Sequence, residues 1–237
     1  MNSELFWRAS DICWPPIQKK TVGPWVIREG GGGGSRVSST TPIGDCSRKD
    51  ISLAEREMHG LGQSNVFQIR RKDKELDLLL SKKGYSLVDR TVIYKCNIAE
   101  ISCLSVPSVT TFDIWPPLNM MKIIWDKGGI TDGRLSVMRR CKVKKTTILG
   151  RIENKAAGCA FVSQSNGISI IQSLFVLPKY RRKGLARHVI IEAAKWGEKE
   201  GSSYLALMVG KYNKRARSLY DGLGMKVLES YHYRVKG

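Results

Sequence analysis

An α/β fold is predicted by three features of this 237-residue chain. The apolar run Leu174-Phe175-Val176-Leu177 stops at Pro178, a basic turn with small residues follows, and Val189, Ala193 and Trp196 then recur at helical spacing. Ahead of it, residues 146–153, 157–164 and 168–177 alternate as an antiparallel meander, with Asn154-Lys155 and Ser165-Asn166-Gly167 as turns. A unit of strand, helix, glycine cap and strand also occurs twice, at an offset of 140.

In chain order, residues 1–20 carry aromatic side chains and Trp14-Pro15-Pro16, and prolines break a long helix, so the segment reads as an extended arm. Residues 23–28 read as a strand, Gly30 to Gly34 as a flexible hairpin, and 36–40 as a second strand. The glycine run is no nucleotide loop, because no Gly-Lys-Ser/Thr closes it and no helix is expected after it. Ser47-x-x-Asp50 caps a helix reaching about His59, which Gly60 and Gly62 end, leaving His59 a helix-end residue without chemistry. Residues 66–69 form the next strand. A helix over 73–83 is buried through Leu76, Leu79 and Leu80 and stopped by Gly84, and 85–96 continue as a strand or strand pair.

Laid on the C-terminal part at the offset of 140, Asp73 falls on Asn213, Leu76 on Ala216, Leu79 on Leu219, Leu80 on Tyr220, Gly84 on Gly224 and Val88 on Leu228. Trp14-Pro15-Pro16 and Trp115-Pro116-Pro117 fit the two beginnings. The expected organisation is therefore an arm over 1–20, a first lobe over 21–106, a linker over 107–117 and a second lobe over 118–237. Within the second lobe, 118–127 has helical spacing through Met121, Ile124 and Trp125, and 132–140 forms a short helix before Cys141.

The formal net charge of +19 has two readings, a polyanionic partner or a lysine-rich composition, since the basic residues are dispersed and form no long run. Any nucleic-acid binding is expected to be weak and non-specific, because no helix-turn-helix or aromatic and basic RNA motif is present. The six cysteines form no Cys-x-x-Cys pair and have no histidine at metal-ligand spacing, so they read as reduced thiols of a cytoplasmic protein without a metal. The N-terminal residues lack the shape of a signal peptide, and no apolar run approaches the roughly 18 residues that span a bilayer, so no membrane partner is expected.

The order Arg181-x-x-Gly184-x-Ala186 after a strand, followed by a long amphipathic helix, a strand near Tyr204 to Val209 and Asn213-x-x-Ala216-x-x-x-Tyr220 ahead of Gly222-Leu223-Gly224-Met225, resembles the GNAT acetyltransferase superfamily over about the last 120 residues. The resemblance implies a mixed central sheet flanked by helices. It makes the first half a degenerate copy without the Arg-x-x-Gly-x-Ala turn, as in tandem members. It also implies acetyl-CoA as co-substrate, with Leu174, Phe175 and Val176 pairing with its pantetheine arm. Arg181, Arg182, Lys183, Gly184, Leu185, Ala186 and Arg187 would hold its pyrophosphate, and Asn213 would touch the pantetheine or position the last helix. The helix start independently suits a phosphate, because its free N–H groups and dipole attract anions and Gly184 and Ala186 leave the backbone open.

By the same resemblance Tyr220 is the general acid that protonates the departing thiolate; from periodicity alone it is a buried aromatic beside Leu219 and Leu223. No general base is visible, since Gln172, Ser173 and Phe175 stand where many family members place a carboxylate. His232 is read first as an ordinary strand histidine and second as a base, and His188 is a weaker candidate. The implied activity is acetyl transfer to an amine of a small molecule, peptide or protein. The rival is a module that holds acyl-CoA, or a nucleic acid, without turnover.

Overall fold

The computed structural model describes residues 1–236, and its order of elements follows from local sequence signals. Helix α1 (Ser3–Cys13) starts where the Asn2 side chain accepts a hydrogen bond from the Leu5 N–H at 2.9 Å, and it buries Phe6, Trp7, Ser10 and Cys13. The expected extended arm is thus mostly helical. Trp14-Pro15-Pro16 ends the helix without preventing it, and the spacing of Phe6, Ser10 and Cys13 is that of one helix face.

Strands β1 (Gln18–Val22) and β2 (Trp25–Glu29) form a hairpin around Gly23-Pro24, with Val22 opposite Trp25. A second correction concerns residues 36–40. In place of a strand, helix α2 (Ser35–Ser38) follows the glycine run, and β3 (Thr41–Pro42) then pairs with β2. Nor is the glycine run a free hairpin. A Cβ on Gly133 would stand 2.2 Å from the Gly32 carbonyl oxygen, so the loop backbone lies directly against a helix of the second half.

Helix α3 (Arg48–Gly60) has the expected capping box of Ser47 and Asp50. Strand β4 (Asn65–Ile69), helix α4 (Lys74–Lys82), strand β5 (Ser86–Asn97) and short helix α5 (Ala99–Ser102) complete the first half. The segment 107–117 contributes an edge strand, β6 (Thr111–Ile114), paired to β7. Helices α6 (Asn119–Asp126) and α7 (Asp132–Arg140) precede the meander of β7 (Lys145–Ile152), β8 (Lys155–Ser165) and β9 (Ile168–Val176). A 3₁₀ turn over Pro178–Tyr180 leads to α8 (Leu185–Lys199), followed by β10 (Tyr204–Gly210), α9 (Lys214–Gly222) and β11 (Lys226–Lys236).

Eight strands form one sheet in the order β4-β11-β5-β10-β9-β8-β7-β6, antiparallel throughout except for the parallel pair β9 and β10. The repeat seen in sequence is physical at its C-terminal end. Helices α4 and α9 start at Lys74 and Lys214, their glycine caps Gly84 and Gly224 have φ of +83° and +79°, and β5 and β11 start at Ser86 and Lys226. The final strands are exchanged, since β11 lies between β4 and β5 while β5 pairs with β10. Thr91 faces Tyr231, its own counterpart in the repeat, so a local two-fold axis passes through that pair.

The core lies on both faces of this sheet. Helix α8 buries Val189, Ile190, Ala193 and Ala194 against one face, and α1 lays Phe6, Trp7 and Cys13 on the other. Burial of such side chains at about 25 cal/mol per Å² is the main stabilising contribution.

Candidate active site

The site begins where two parallel strands part. Strands β9 and β10 are hydrogen-bonded from Ile168 and Tyr204 to Ile171 and Leu207, after which Gln172–Val176 and Met208–Gly210 run on without pairing to each other. A register shift against β8, between Cys159 and Phe161, marks a bulge in β9, where Ser173 has φ of +52°. The buried Trp125 indole donates to the Ser173 carbonyl at 2.7 Å, which satisfies the group that the bulge removes from the ladder. A wedge between diverging strands presents backbone edges to an extended ligand.

On one side of the wedge is a groove of about 590 Å³. Leu174, Phe175, Val176, Arg181, Arg182, Gly184, Leu185, Ala186, Arg187, Asn213 and Tyr220 all line it, so the structure brings together eleven of the twelve residues singled out from sequence. The exception is Lys183, whose ammonium is turned to Glu153 at 2.7 Å and lies outside the lining. Gly184 is the left-handed residue that opens α8, with φ of +80°, and a Cβ there would meet only the His188 ring at 3.7 Å. No side chain caps this helix, so its first-turn N–H groups face the groove under four arginines, Arg181, Arg182, Arg187 and Arg215. Arg181 is held by donating from Nε to the Val176 carbonyl at 3.0 Å. The cradle suits a pyrophosphate: open backbone donors, a concave floor and uncompensated positive charge.

On the other side is a cavity of about 480 Å³, which shares Leu174, Phe175, Asn213 and Tyr220 with the groove. Gly128 and Ile130, from the connection between α6 and α7, and Arg134 of α7 border it. The first half supplies Trp14, Gly33, Gly34, Ser35, Arg36, Asp89 and Thr91, and β11 supplies Tyr231 and Tyr233. None of these was singled out for this cavity from sequence. They converge through the exchanged strands and the glycine loop, and no local spacing encodes that.

Tyr220 stands where groove and cavity meet. Its ring packs edge-on against Tyr94 at 5.4 Å, and the residue is 6% exposed. Burial, reinforced by the neighbouring Tyr94, pushes its phenol up to about 12, so it keeps its proton at any working pH. Its hydroxyl makes no hydrogen bond to the described residues. Asn213 caps α9, its side chain accepting from the Ala216 N–H at 3.2 Å, which fixes the helix that carries Tyr220.

The histidines lie elsewhere. His232 alternates to the opposite side from Tyr231 and Tyr233 and meets Asp77 at 2.9 Å, outside the cavity lining. His188 borders the helix start, and burial with Arg187 nearby holds its imidazole below its usual value. Gln172 is committed structurally, accepting from Arg36 at 2.7 Å and donating to the Cys13 carbonyl at 3.3 Å. Asp89 is the one carboxylate lining the cavity among the described residues.

Residues 119–225 match the profile of the acetyltransferase (GNAT) family. This stretch belongs to the GNAT acetyltransferase family. Over nearly its whole length the chain is 25% identical to an uncharacterised N-acetyltransferase of Bacillus subtilis (strain 168), YobR, covering 97% of this chain and 96% of that protein. Among solved structures, a GCN5-related N-acetyltransferase from Kribbella flavida superposes with a TM-score of 0.73 at 14% identity, over 93% of this chain and 90% of that one. A tandem GNAT protein from the clavulanic acid biosynthesis pathway superposes with a TM-score of 0.62 at 10% identity, over 96% and 86%. At such identities the structural likeness shows the fold. The family match over 119–225 and the relatives named N-acetyltransferases support acyltransferase activity. Among the described residues no helix is long and apolar enough to cross a membrane.

Proposed function

We propose that the protein transfers an acetyl group from acetyl-CoA directly to a primary amine, with Tyr220 protonating the departing thiolate. The observation that carries this reading is the meeting of the phosphate-suited groove and the second cavity at Leu174, Phe175, Asn213 and Tyr220. A thioester whose diphosphate lies on the α8 start and whose pantetheine follows β9 delivers its carbonyl to that junction. An amine in the second cavity then stands on the opposite side.

The amine nitrogen attacks the carbonyl, a backbone N–H of β9 faces the developing oxyanion, and the C–S bond breaks. The nitrogen's proton leaves to water through the open cavity. Tyr220 donates its phenolic proton to the sulfur and recovers one from solvent. A phenol near 12 is a weak acid, but a thiolate in the same desolvated setting is a strong base.

The first half, by the same reading, does no chemistry. It has Leu80 in place of Tyr220 and no phosphate turn, and it supplies the glycine loop and Arg36 that cover the acceptor side. The test is release of CoA thiol from acetyl-CoA against a panel of amines and peptides, with product acetylation confirmed by mass. Absence of amine-dependent release in protein that binds acetyl-CoA would favour a holding module.

A further inference from the structure

Two arginines of the acceptor cavity lack the carboxylate partner that some other guanidinium groups of this fold have. Arg28, 4% exposed in its side chain, meets Asp11 at 3.1 Å, and Arg234 meets Asp77 at 2.7 Å. Arg36 has no such partner. It stacks 5.6 Å from the Trp14 ring and donates from Nη1 to the neutral Gln172 amide, while its Nε is buried without any hydrogen-bond partner. Arg134 reaches the same cavity from α7, and its guanidinium stands 3.7 Å from the position a Cβ on Gly34 would take. Among the described residues neither arginine has a carboxylate within 4.0 Å.

A charge drawn toward a low-dielectric cavity is costly unless something neutralises it. Gln172 contributes an acceptor with no charge, and its second contact, to the Cys13 carbonyl, keeps it from turning away. Arg36 is therefore held in place by an aromatic plane and an amide with unused donors left over. A planar guanidinium with free N–H groups is the side chain best suited to bind a carboxylate or phosphate. The glycine run explains how the two arginines come together. Gly32 packs on Gly133, and Gly34, with φ of +91°, leaves the space beside Arg134 free of any side chain.

We propose that the acceptor is a small amine that also carries an oxyanion, a carboxylate or a phosphate, which Arg36 and Arg134 hold while the amine faces the thioester. The size of the cavity, about 480 Å³, suits a compact amino acid or aminoalkyl phosphate. The proposal rests on the acetyl-transfer reading for what happens to the amine, and on the arginines alone for the anion.

The test is calorimetry on the full-length protein saturated with CoA. Probes are the twenty common amino acids with their carboxamides, and aminoalkyl phosphates with the corresponding amino alcohols. At least one acid or phosphate is expected to bind at least tenfold tighter than its uncharged twin. Arg36→Met should erase that preference, Arg36→Lys should retain part of it, and the exposed Arg134→Gln, which leaves the core untouched, should reduce it several-fold. Equal affinity within every pair, no binding across the panel, or a preference unchanged in folded Arg36→Met and Arg134→Gln would each overturn the proposal. Thiol release distinguishes the two readings. An anionic amine that binds but is never acetylated sinks acetyl transfer and leaves the anion site standing. Efficient acetylation with no preference for charge sinks only the anion site.

Discussion

Replacing Tyr220 by phenylalanine separates a chemical role from a structural one, and the surroundings of the side chain set both magnitudes. The ring contact with Tyr94 at 5.4 Å is retained by phenylalanine, and the lost hydroxyl has no hydrogen-bond partner among the described residues to strand. Stability should therefore change by less than about 1 kcal/mol, a shift of a few degrees in melting temperature at most. Removing the phenolic proton at the junction of groove and cavity should lower kcat about 10²- to 10⁴-fold. At about 1.36 kcal/mol per decade that is roughly 3–5 kcal/mol of transition-state stabilisation. Acetyl-CoA affinity should be almost unchanged, because the loss is felt only as the C–S bond breaks. Because the phenol is pushed up to about 12, wild-type kcat should show no alkaline loss from this residue up to pH 10. The assay is thiol release, calorimetric acetyl-CoA affinity and thermal unfolding on one preparation, with the exposed Cys103 blanked as thiol background. Normal turnover in a well-folded Tyr220→Phe protein would remove Tyr220 from the mechanism.

Three further outcomes follow from the geometry. Gly184→Glu should abolish acetyl-CoA binding measured by calorimetry, since it strains a residue at φ of +80° by about 1–2 kcal/mol and puts a carboxylate where the phosphate cradle lies; Gly184→Ala, carrying the strain alone, should bind more weakly than wild type but measurably. A fragment of residues 116–237 should be poorly soluble on size-exclusion chromatography, because it strips β10 of β5 and leaves β11 without either neighbour; a soluble, fully active fragment would refute the dependence on the first half. Burial opposes ionisation of Asp77, but hydrogen bonds from Arg234 and His232 outweigh it and hold the carboxyl below its usual value. The stabilisation is present above the unfolded value of about 3.9 and is lost as pH falls through the lower folded value. Asp77→Asn should cost about 1–2 kcal/mol in denaturant titrations at pH 7, with the gap narrowing at pH 3.

Much of the donor groove was legible because its determinants are local. A strand, a proline, a small-residue turn and a helix are contiguous, so Arg181, Arg182 and Gly184 to Arg187 reach the groove through backbone geometry that the sequence states directly, and Tyr220 follows Asn213 by two turns of one helix. The meander and the cap glycines Gly84 and Gly224 were legible for the same reason. Helix α1 was missed because the prolines after Trp14 were given weight over the spacing of Phe6, Ser10 and Cys13. Helix α2 was missed because a four-residue helix has too few positions to show a period. The acceptor cavity was illegible. Arg36 and Arg134 meet there through the glycine loop, and Tyr233 joins Asp89 only once β11 has threaded between two strands of the first half; long-range pairing of this kind leaves no mark in local spacing.

The exchanged strands also govern the order in which the molecule can be built. Until β11 has been synthesised, the edges of β4 and β5 that it pairs in the finished sheet have no partner strand. The contacts that β11 makes join groups far apart in sequence, as with Asp77 and His232, separated by 155 residues. Non-local closure of this kind is slow, and open strand edges invite association with other chains meanwhile. The same strand carries Tyr231 and Tyr233 into the second cavity. A growing chain can therefore possess the whole turn from Arg181 to Arg187 while the second cavity still lacks a wall, and that cavity is completed only in the step that seals the sheet.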